Sequence, residues 1–201
     1  MTDLARDTTA ATDTGPEPYP GSWREEVTRL DVAVYGAIAA TPTPVLDEVM
    51  RRVSRAADYS RLWLGSAALL AIAGGETGRR AAAHGLASTA VTSALVNLVL
   101  KPVGRRRRPD RVTHDVPLAR HVRMPRSTSF PSGHAASAFA FATGVATALP
   151  EAGIPLYGAA SVVAYSRVHT GVHYPLDVIV GAVTGVAMAP LAARAVERCH
   201  Q

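Results

Sequence analysis

The chain has 201 residues, of which 48% are hydrophobic and only 5% aromatic, and its 21 Lys and Arg residues exceed its 16 Asp and Glu residues. This length fits a single domain, and a β-sheet protein would contain more aromatic and β-branched residues. The positive charge favours an anionic partner such as a phosphate ester, an anionic lipid surface or a nucleic acid. The single cysteine, Cys199, excludes an intramolecular disulfide and a thiolate metal cluster.

The chain begins with a polar, proline-bearing segment. Residues 1–22 lack apolar periodicity, which predicts a disordered tail. They also lack the basic and then apolar pattern of a cleaved signal peptide, so membrane insertion is expected to use internal segments. Two short helices are predicted next, over residues 23–40 and 45–57, with the proline-rich breaker 41–44 between them.

Five longer apolar stretches follow and are the candidate membrane spans. The second of them reaches the ~20 residues that a spanning helix needs, and the others run to about 14–16 residues. Several carry no charged residue, and five such helices would leave a soluble domain of this size almost without polar outer faces. The prediction is an all-α transmembrane helical bundle with about five to six spans, forming a membrane-embedded domain over residues 23–195 before a C-terminal tail, 196–201. The five stretches are 62–75, 81–100, 135–150, 152–165 and 178–193.

Short polar motifs lie at the ends of these stretches. In the first, Lys101 closes an apolar helix and Arg108 follows seven residues later; alone, this pattern is a basic flank that stops a span. The second is Pro-Ser-Gly-His at 131–134, immediately before an apolar helix. Glycine lets the backbone approach a ligand, and the free N–H groups of a helix N-terminus bind anions. Alone, this motif is also compatible with a serine N-cap beside an incidental histidine.

The third motif joins Ser166 and Arg167 to His173 and Asp177. His173 and Asp177 lie four residues apart, the spacing that puts two side chains on one helical face. A carboxylate beside an imidazole can fix its tautomer, although a capping aspartate near a surface histidine would look the same. Together the three motifs supply three cations, a backbone anion cradle, two histidines and one carboxylate, which is a complete set for phosphoryl transfer.

In this order, the patterns K-x6-R-P, P-S-G-H and S-R-x5-H-x3-D resemble the signature of the type 2 phosphatidic acid phosphatase and vanadium haloperoxidase superfamily. The match at the signature positions is complete, and the resemblance extends over roughly residues 23–193. It implies a helical bundle, usually with six transmembrane helices, whose motifs converge at one membrane face. It also implies a reaction through a phosphohistidine intermediate.

The resemblance assigns a role to each matching residue. His173 would attack phosphorus, Asp177 would orient it, and His134 would protonate the leaving oxygen. No metal or other cofactor is expected, because cations and amides can stabilise the charge on the phosphoryl oxygens and the motifs contain a single carboxylate. The phosphoryl oxygens would be held by Lys101, Arg108, Ser132, the Gly133 amide and Arg167.

The predicted activity is hydrolysis of a phosphomonoester or diphosphate of a membrane lipid, such as a polyprenyl diphosphate or phosphatidic acid. Membrane lipids are the other expected partners, nucleic acid is not expected, and the oligomeric state is left open. One alternative is a soluble acid phosphatase or vanadate-dependent haloperoxidase of the same superfamily, which the short spans favour. A second is a basic nucleic-acid-binding module, which leaves the histidine motifs unexplained.

The protein is expected in the cell membrane as a multi-pass protein. If residues 32–40 form a first span, the loops at 41–61, 101–131 and 166–173 share the face of the motifs and hold 14 Lys and Arg residues, against 7 on the opposite face. Three of the 14 belong to the motifs, which leaves 11 against 7. The positive-inside rule then favours a cytoplasmic active site.

Overall fold

The structure, a computed structural model, describes residues 22–199, which contain helices and turns but no strand. Each of the five predicted apolar stretches falls on a helix, so the prediction of an all-α protein is confirmed. Except for Ser22, the predicted N-terminal tail lies outside the described residues, as do residues 200 and 201 of the predicted C-terminal tail. Residues 196–199 continue the last helix.

Eight α-helices account for most of the described residues. A π-helical turn at Val96–Leu100 joins α4 to α5, so that Gly75–Gly104 runs as one continuous helix. Short 3₁₀ turns lie at Asp58–Ser60, Leu118–Arg120 and Pro150–Ala152. The helices are α1 (Trp23–Ala40), α2 (Pro44–Ala56), α3 (Arg61–Ala73), α4 (Gly75–Leu95), α5 (Lys101–Gly104), α6 (Gly133–Ala148), α7 (Gly153–His169) and α8 (Pro175–Cys199).

Helix α6 lies at the centre of the bundle and packs against α4, α7 and α8. Small residues line it, and this lets neighbouring backbones approach closely, as is usual for helices that associate in lipid. At Gly144, a Cβ atom would lie 2.5 Å from the Ser88 Oγ and 2.7 Å from the His84 carbonyl oxygen of α4. Five alanines of α6 are fully buried: Ala135, Ala136, Ala138, Ala140 and Ala142.

Helix α8 crosses α6 at two glycines one turn apart. A Cβ atom on Gly181 would lie 2.5 Å from the carbonyl oxygen of Ser132, and one on Gly185 would lie 2.3 Å from that of Ala136. Side chains do not fit at such distances, so the two helices touch backbone to backbone. Since Asp177 is one turn before Gly181, this crossing sets the position of the start of α8 relative to the start of α6.

A fully buried arginine holds the long connection between α5 and α6. Arg120 Nε donates to Asp47 Oδ1 at 2.7 Å, and its Nη1 donates to the carbonyl oxygens of Ile38 at 2.8 Å and Ala39 at 3.3 Å. The same carboxylate oxygen of Asp47 lies 2.8 Å from His169 Nε2 at the end of α7. Arg120 and its ion pair with Asp47 therefore tie this loop to the end of α1, to α2 and, through Asp47, to α7.

The outer surface of the bundle is apolar over much of its area. Two helices, Gly75–Gly104 and Pro175–Arg198, are long and apolar enough to cross a membrane. Only 22% and 39% of their most apolar stretches are buried, whereas the core helix of a soluble protein would be mostly buried. Helices α3, α6 and α7 are shorter, with 13, 16 and 17 residues. Large exposed apolar surfaces mark contact with a membrane or a partner.

Candidate active site

The three sequence motifs lie at the same end of the bundle, where α5 and α7 end and α6 and α8 begin. Helix α7 ends at His169, and the short turn that follows places His173 just before α8. The backbone N–H groups of Val172 and His173 donate to the carbonyl oxygen of Arg167 at 3.0 and 3.1 Å, which closes this turn. The predicted site residues at this end are Lys101, Arg108, Ser132, Gly133, His134, Arg167, His173 and Asp177.

The imidazole of His173 is buried between a carboxylate and a guanidinium. Its Nδ1 lies 3.5 Å from Asp177 Oδ2, and its Nε2 lies 3.1 Å from Arg108 Nη1. Asp177 Oδ2 also accepts a hydrogen bond from the backbone N–H of Tyr174 at 3.0 Å. Because a guanidinium only donates, Nε2 is the acceptor and the ring hydrogen is on Nδ1, facing the carboxylate. The lone pair of Nε2 is thus directed at the cationic side of the site.

The electrostatic environment keeps His173 neutral. Burial is the largest cause that lowers the pKa of His173 to about 3, and the charges of Arg108 and Arg167 lower it further, while Asp177 opposes them. Burial also lowers the pKa of Arg108 to about 10, so this guanidinium is still charged at neutral pH. An uncharged imidazole beside fixed cations is the state that a nitrogen nucleophile needs.

Two residues that occupy no signature position complete the surroundings of Asp177. Ser129 Oγ donates to Asp177 Oδ2 and lies 3.4 Å from His173 Nδ1. Arg106 Nη1 donates to Asp177 Oδ1 at 3.0 Å, and its Nη2 pairs with Asp31 Oδ2 of α1 at 2.7 Å. The run of four arginines at 105–108 draws attention to Arg106, but no local pattern in the sequence marks Ser129 or Asp31.

Lys101 and Arg108 are held side by side by one serine. Lys101 Nζ lies 3.3 Å from Ser127 Oγ, and Arg108 Nη2 lies 3.3 Å from the same oxygen. Gly133 faces them, because a Cβ atom there would be 3.5 Å from Lys101 Nζ. Ser132 caps α6, its Oγ accepting from the backbone N–H of Ala135 at 3.5 Å. Two cations and a helix N-terminus therefore converge on one place, which is an arrangement suited to an anion.

Arg167 is almost completely buried, and one of its guanidinium N–H groups is available to a ligand. Its Nη1 donates to Ser54 Oγ of α2 and lies 3.9 Å from Asp58 Oδ1. Its Nε is buried without a hydrogen-bond partner among residues 22–199. A buried N–H without a partner is costly, so this donor is suited to an oxygen supplied by a ligand.

His134, at the start of α6, faces an aspartate that the sequence analysis did not identify. Its Nε2 lies 3.0 Å from Asp58 Oδ1, and this hydrogen bond is the main cause that lowers the pKa of Asp58. Because an ionised carboxylate only accepts, Nε2 of His134 carries a hydrogen. Asp58 is followed by Tyr59 and Ser60 in the left-handed conformation, with φ of 58° and 57°. Neither is glycine, so the sequence gives no sign of this tight turn.

Two cavities meet at His134. The inner one, of about 200 Å³, is lined by Lys101, Gly133 and Trp63 as well as by His134. The outer one, of about 420 Å³, lies between His134 and loop residues 123–126. A larger cavity of about 590 Å³ is at the opposite end of α4 and α8, and none of the motif residues lines it. Within residues 22–199, no group of three or more His, Cys, Asp or Glu side chains is placed to hold a metal ion.

The site contains a buried imidazole with a carboxylate on its Nδ1 side, and a second histidine and three cations lie around an anion site. This arrangement, built on a helical bundle, defines a phosphoryl-transfer enzyme. The chain belongs to the PAP2 superfamily, whose sequence model matches residues 82–201. The predicted family resemblance is therefore confirmed.

Characterised relatives agree with this membership. The chain is 34% identical over 168 residues to decaprenylphosphoryl-5-phosphoribose phosphatase of Mycobacterium tuberculosis, covering 82% of this chain and 89% of that protein. It is also 34% identical over 120 residues to lipid A 1-phosphatase of Rhizobium etli, covering 57% of this chain and 50% of that protein.

Two crystal structures have the same fold. The Bacillus subtilis transmembrane PAP2-type phosphatidylglycerolphosphate phosphatase superposes with a TM-score of 0.66 at 27% identity, covering 86% of this chain and 87% of that one. LpxE of Aquifex aeolicus superposes with a TM-score of 0.63 at 26% identity, covering 82% of this chain and 95% of that one.

Proposed function

We propose that the chain is a membrane lipid phosphatase that transfers a phosphoryl group from a lipid to His173 and then to water. The observation that carries this proposal is the buried imidazole of His173, whose Nε2 lies 3.1 Å from Arg108 and whose Nδ1 faces Asp177. A lipid substrate is supported by the relatives, whose names include lipid A 1-phosphatase and phosphatidylglycerolphosphate phosphatase. It is also supported by the apolar outer surface of the bundle.

In the first step the phosphoryl group lies between Arg108 and His173, which no longer contact each other directly. A bond forms between Nε2 of His173 and phosphorus while the bond from phosphorus to the leaving oxygen breaks. His134, protonated on both ring nitrogens, gives its Nε2 proton to that oxygen and becomes a neutral imidazole. Attack makes the imidazole cationic, and Asp177 stabilises that charge through the Nδ1 hydrogen. The unpartnered Nε–H of Arg167 donates to a phosphoryl oxygen.

In the second step His134 takes a proton from water. The water oxygen bonds to phosphorus, the nitrogen–phosphorus bond breaks, and inorganic phosphate leaves with the imidazole of His173 neutral again. Lys101, Arg108 and Arg167 supply the positive charge that metal ions supply in many other phosphatases. We therefore expect turnover without an added metal.

Variants of the two histidines test this mechanism. We expect His173→Ala to lose both turnover and the covalent phosphoryl-enzyme, because no other group can replace the nucleophile. His134→Ala should still be phosphorylated by an aryl phosphate, whose leaving oxygen needs no proton. His121→Ala is the matched control, since its ring contacts the carbonyl oxygen of Val116 at 3.1 Å. Turnover by the His173 variant would overturn the mechanism.

Five spans are favoured over six. The carboxylate of Asp31, in the middle of α1, accepts from the backbone N–H of Leu176 at 2.7 Å and pairs with Arg106. The middle of α1 is therefore level with the start of α8, at the membrane face that holds the motif residues (the site face). Helix α1 does not run from one membrane face to the other. We propose that α3, α4 with α5, α6, α7 and α8 cross the membrane. Their apolar outer surfaces argue against the soluble alternative.

This topology supports an active site on the cytoplasmic face. Without a span in α1, the three arginines of residues 1–40 move to the site face, and the count of Lys and Arg changes from 14 against 7 to 17 against 4. Excluding the three motif cations leaves 14 against 4, which the positive-inside rule associates with the cytoplasm.

Cysteine labelling tests this orientation. In a Cys199→Ser background, a cysteine at Thr113 on the site face should react with a membrane-impermeant maleimide only after the cells are permeabilised. The reciprocal variant has a cysteine at Glu151, in the exposed turn between α6 and α7, and should react in intact cells. The reverse pattern would place the active site outside.

A further inference from the structure

Most of the arginines in the loop between α5 and α6 are held by other groups. Arg106 binds two carboxylates, and Arg108 donates to Ser127, Thr128 and Val172. Arg111 donates to the carbonyl oxygens of Gly171 and Val122, and Arg120 pairs with Asp47. These side chains have structural or proposed catalytic roles, and their guanidinium groups already have protein partners.

Arg123 and Arg126 differ from these arginines. Both are exposed, and neither guanidinium has an ion pair or hydrogen bond within the described range 22–199. Both line the outer cavity of about 420 Å³, together with Met124, Pro125 and Tyr59. Two guanidinium groups without counter-ions beside a cavity attract an anion, and their planar fork binds phosphate oxygens in pairs.

The position of this cavity relates it to one half of the substrate. His134 lines both cavities, with Lys101 and Gly133 on the inner side and Arg123 and Arg126 on the outer side. In the proposed mechanism His134 protonates the leaving oxygen. Lys101 and Gly133 also face the anion site, so the transferred phosphoryl group is assigned to the inner side of His134 and the leaving group to the outer cavity.

The acidic residue that lines this cavity does not cancel its charge. Asp58 has its Oδ1 occupied by His134 at 3.0 Å and lies 3.9 Å from Arg167, so its charge is shared with groups of the inner site. Arg123 and Arg126 remain without a carboxylate partner among residues 22–199. The outer cavity therefore has an excess of positive charge on its loop side.

We propose that Arg123 and Arg126 form a second phosphate subsite, which binds a phosphate carried by the leaving group. The substrates would then be lipids with two phosphates: a lipid diphosphate, or a phosphomonoester whose headgroup is joined to the lipid by a phosphodiester. A lipid with a single phosphate would leave the subsite empty. This inference depends on the proposed function and specifies the substrate class of that site.

Two substrate pairs test the subsite, each with the same lipid chains and with or without the second phosphate. One pair is a polyprenyl diphosphate and its monophosphate, and the other is phosphatidylglycerol phosphate and phosphatidic acid. All are assayed in neutral detergent without phospholipid. We expect Arg123→Gln/Arg126→Gln to lower kcat/KM by about 10- to 100-fold for a substrate with two phosphates, and by less than about 3-fold for its single-phosphate partner.

The matched control is Arg105→Gln/Arg107→Gln, which removes the same charge from two exposed arginines that line neither cavity at His134. We expect it to change neither member of either pair. A binding measurement that needs no turnover completes the test. Methylenediphosphonate should inhibit the unmodified enzyme more strongly than methylphosphonate, and the Arg123/Arg126 variant should lose that difference.

The outcomes separate the possible causes. A selective loss on one pair supports the subsite and identifies whether it accepts a diphosphate or a phosphodiester. Equal losses on both members of each pair, or an unchanged preference for the diphosphonate, overturn the subsite while the phosphatase function stands. A loss that occurs only in anionic vesicles means that the arginines bind membrane headgroups, which also overturns it. If the unmodified enzyme hydrolyses none of the four lipids, the proposed function fails and the subsite with it.

Discussion

Replacement of Gly181 by alanine tests how the crossing of α8 and α6 positions the active site. The added Cβ atom would lie 2.5 Å from the Ser132 carbonyl oxygen and 3.3 Å from Ala135 Cβ, whereas ordinary contacts begin near 3.4 Å. The carbonyl oxygen is part of the backbone and already accepts from the N–H of Ala136 at 3.0 Å, so it cannot rotate away. The two helices must therefore separate by about 0.9 Å.

This separation acts directly on the proposed catalytic groups. Asp177 lies one turn before Gly181, and its carbonyl oxygen accepts from the N–H of Ser132 at 2.8 Å. Moving α8 therefore displaces the pair of His173 and Asp177 from the anion site at the start of α6. A misplacement of about 1 Å can cost roughly 100-fold in rate, and an extra methyl group in a packed interior destabilises by about 1–3 kcal/mol.

The assay is phosphate release from a saturating lipid phosphate by detergent-purified protein, together with thermal unfolding. We expect Gly181→Ala to lower kcat roughly 100-fold and the free energy of unfolding by about 1–3 kcal/mol. Gly158→Ala is the matched control, because a Cβ atom on this exposed residue of α7 meets nothing within 4 Å. It should keep full activity and gain up to about 1 kcal/mol of helix propensity. Full kcat in Gly181→Ala, or an equal loss in Gly158→Ala, would refute this reasoning.

Three further predictions concern the charged groups. Because the pKa of His173 is lowered to about 3 and the proposed nucleophile is its neutral imidazole, kcat/KM for an aryl phosphate should show no loss from protonation of His173 until the pH falls toward 3. A loss of activity near pH 6 that no replacement of another residue removes would contradict this. Arg120→Met leaves Asp47 buried without its cation, so thermal unfolding should show a loss of about 3–5 kcal/mol, and Arg120→Met/Asp47→Asn should recover part of it. Exhaustive chelation should leave activity unchanged while vanadate inhibits, since vanadate resembles the transition state of phosphoryl transfer; inactivation by EDTA that Mg²⁺ reverses would disprove the cation-only site.

The sequence by itself determined the class of fold and the chemical groups of the motifs. In an apolar environment the backbone N–H and C=O groups must form their hydrogen bonds within the chain, and a helix does this within one segment. Each apolar stretch could therefore be predicted as a helix without knowledge of its neighbours. The motifs were recognisable because phosphoryl transfer requires particular side chains at helix ends. His173 and Asp177 could be paired from their spacing alone, since four residues form one turn.

Only the tertiary structure decided which distant residues support these groups. Asp58 contacts His134 across 76 positions in the chain, and Asp31 contacts Leu176 across 145. Contacts of this kind depend on how whole helices pack, and no local periodicity records them. The roles of the individual arginines also depend on packing, because the sequence does not distinguish one arginine of the loop from another. Packing buries Arg120 against Asp47 and leaves Arg126 free to line a cavity, because a guanidinium takes its role from the carboxylates and carbonyl oxygens that the fold brings within reach.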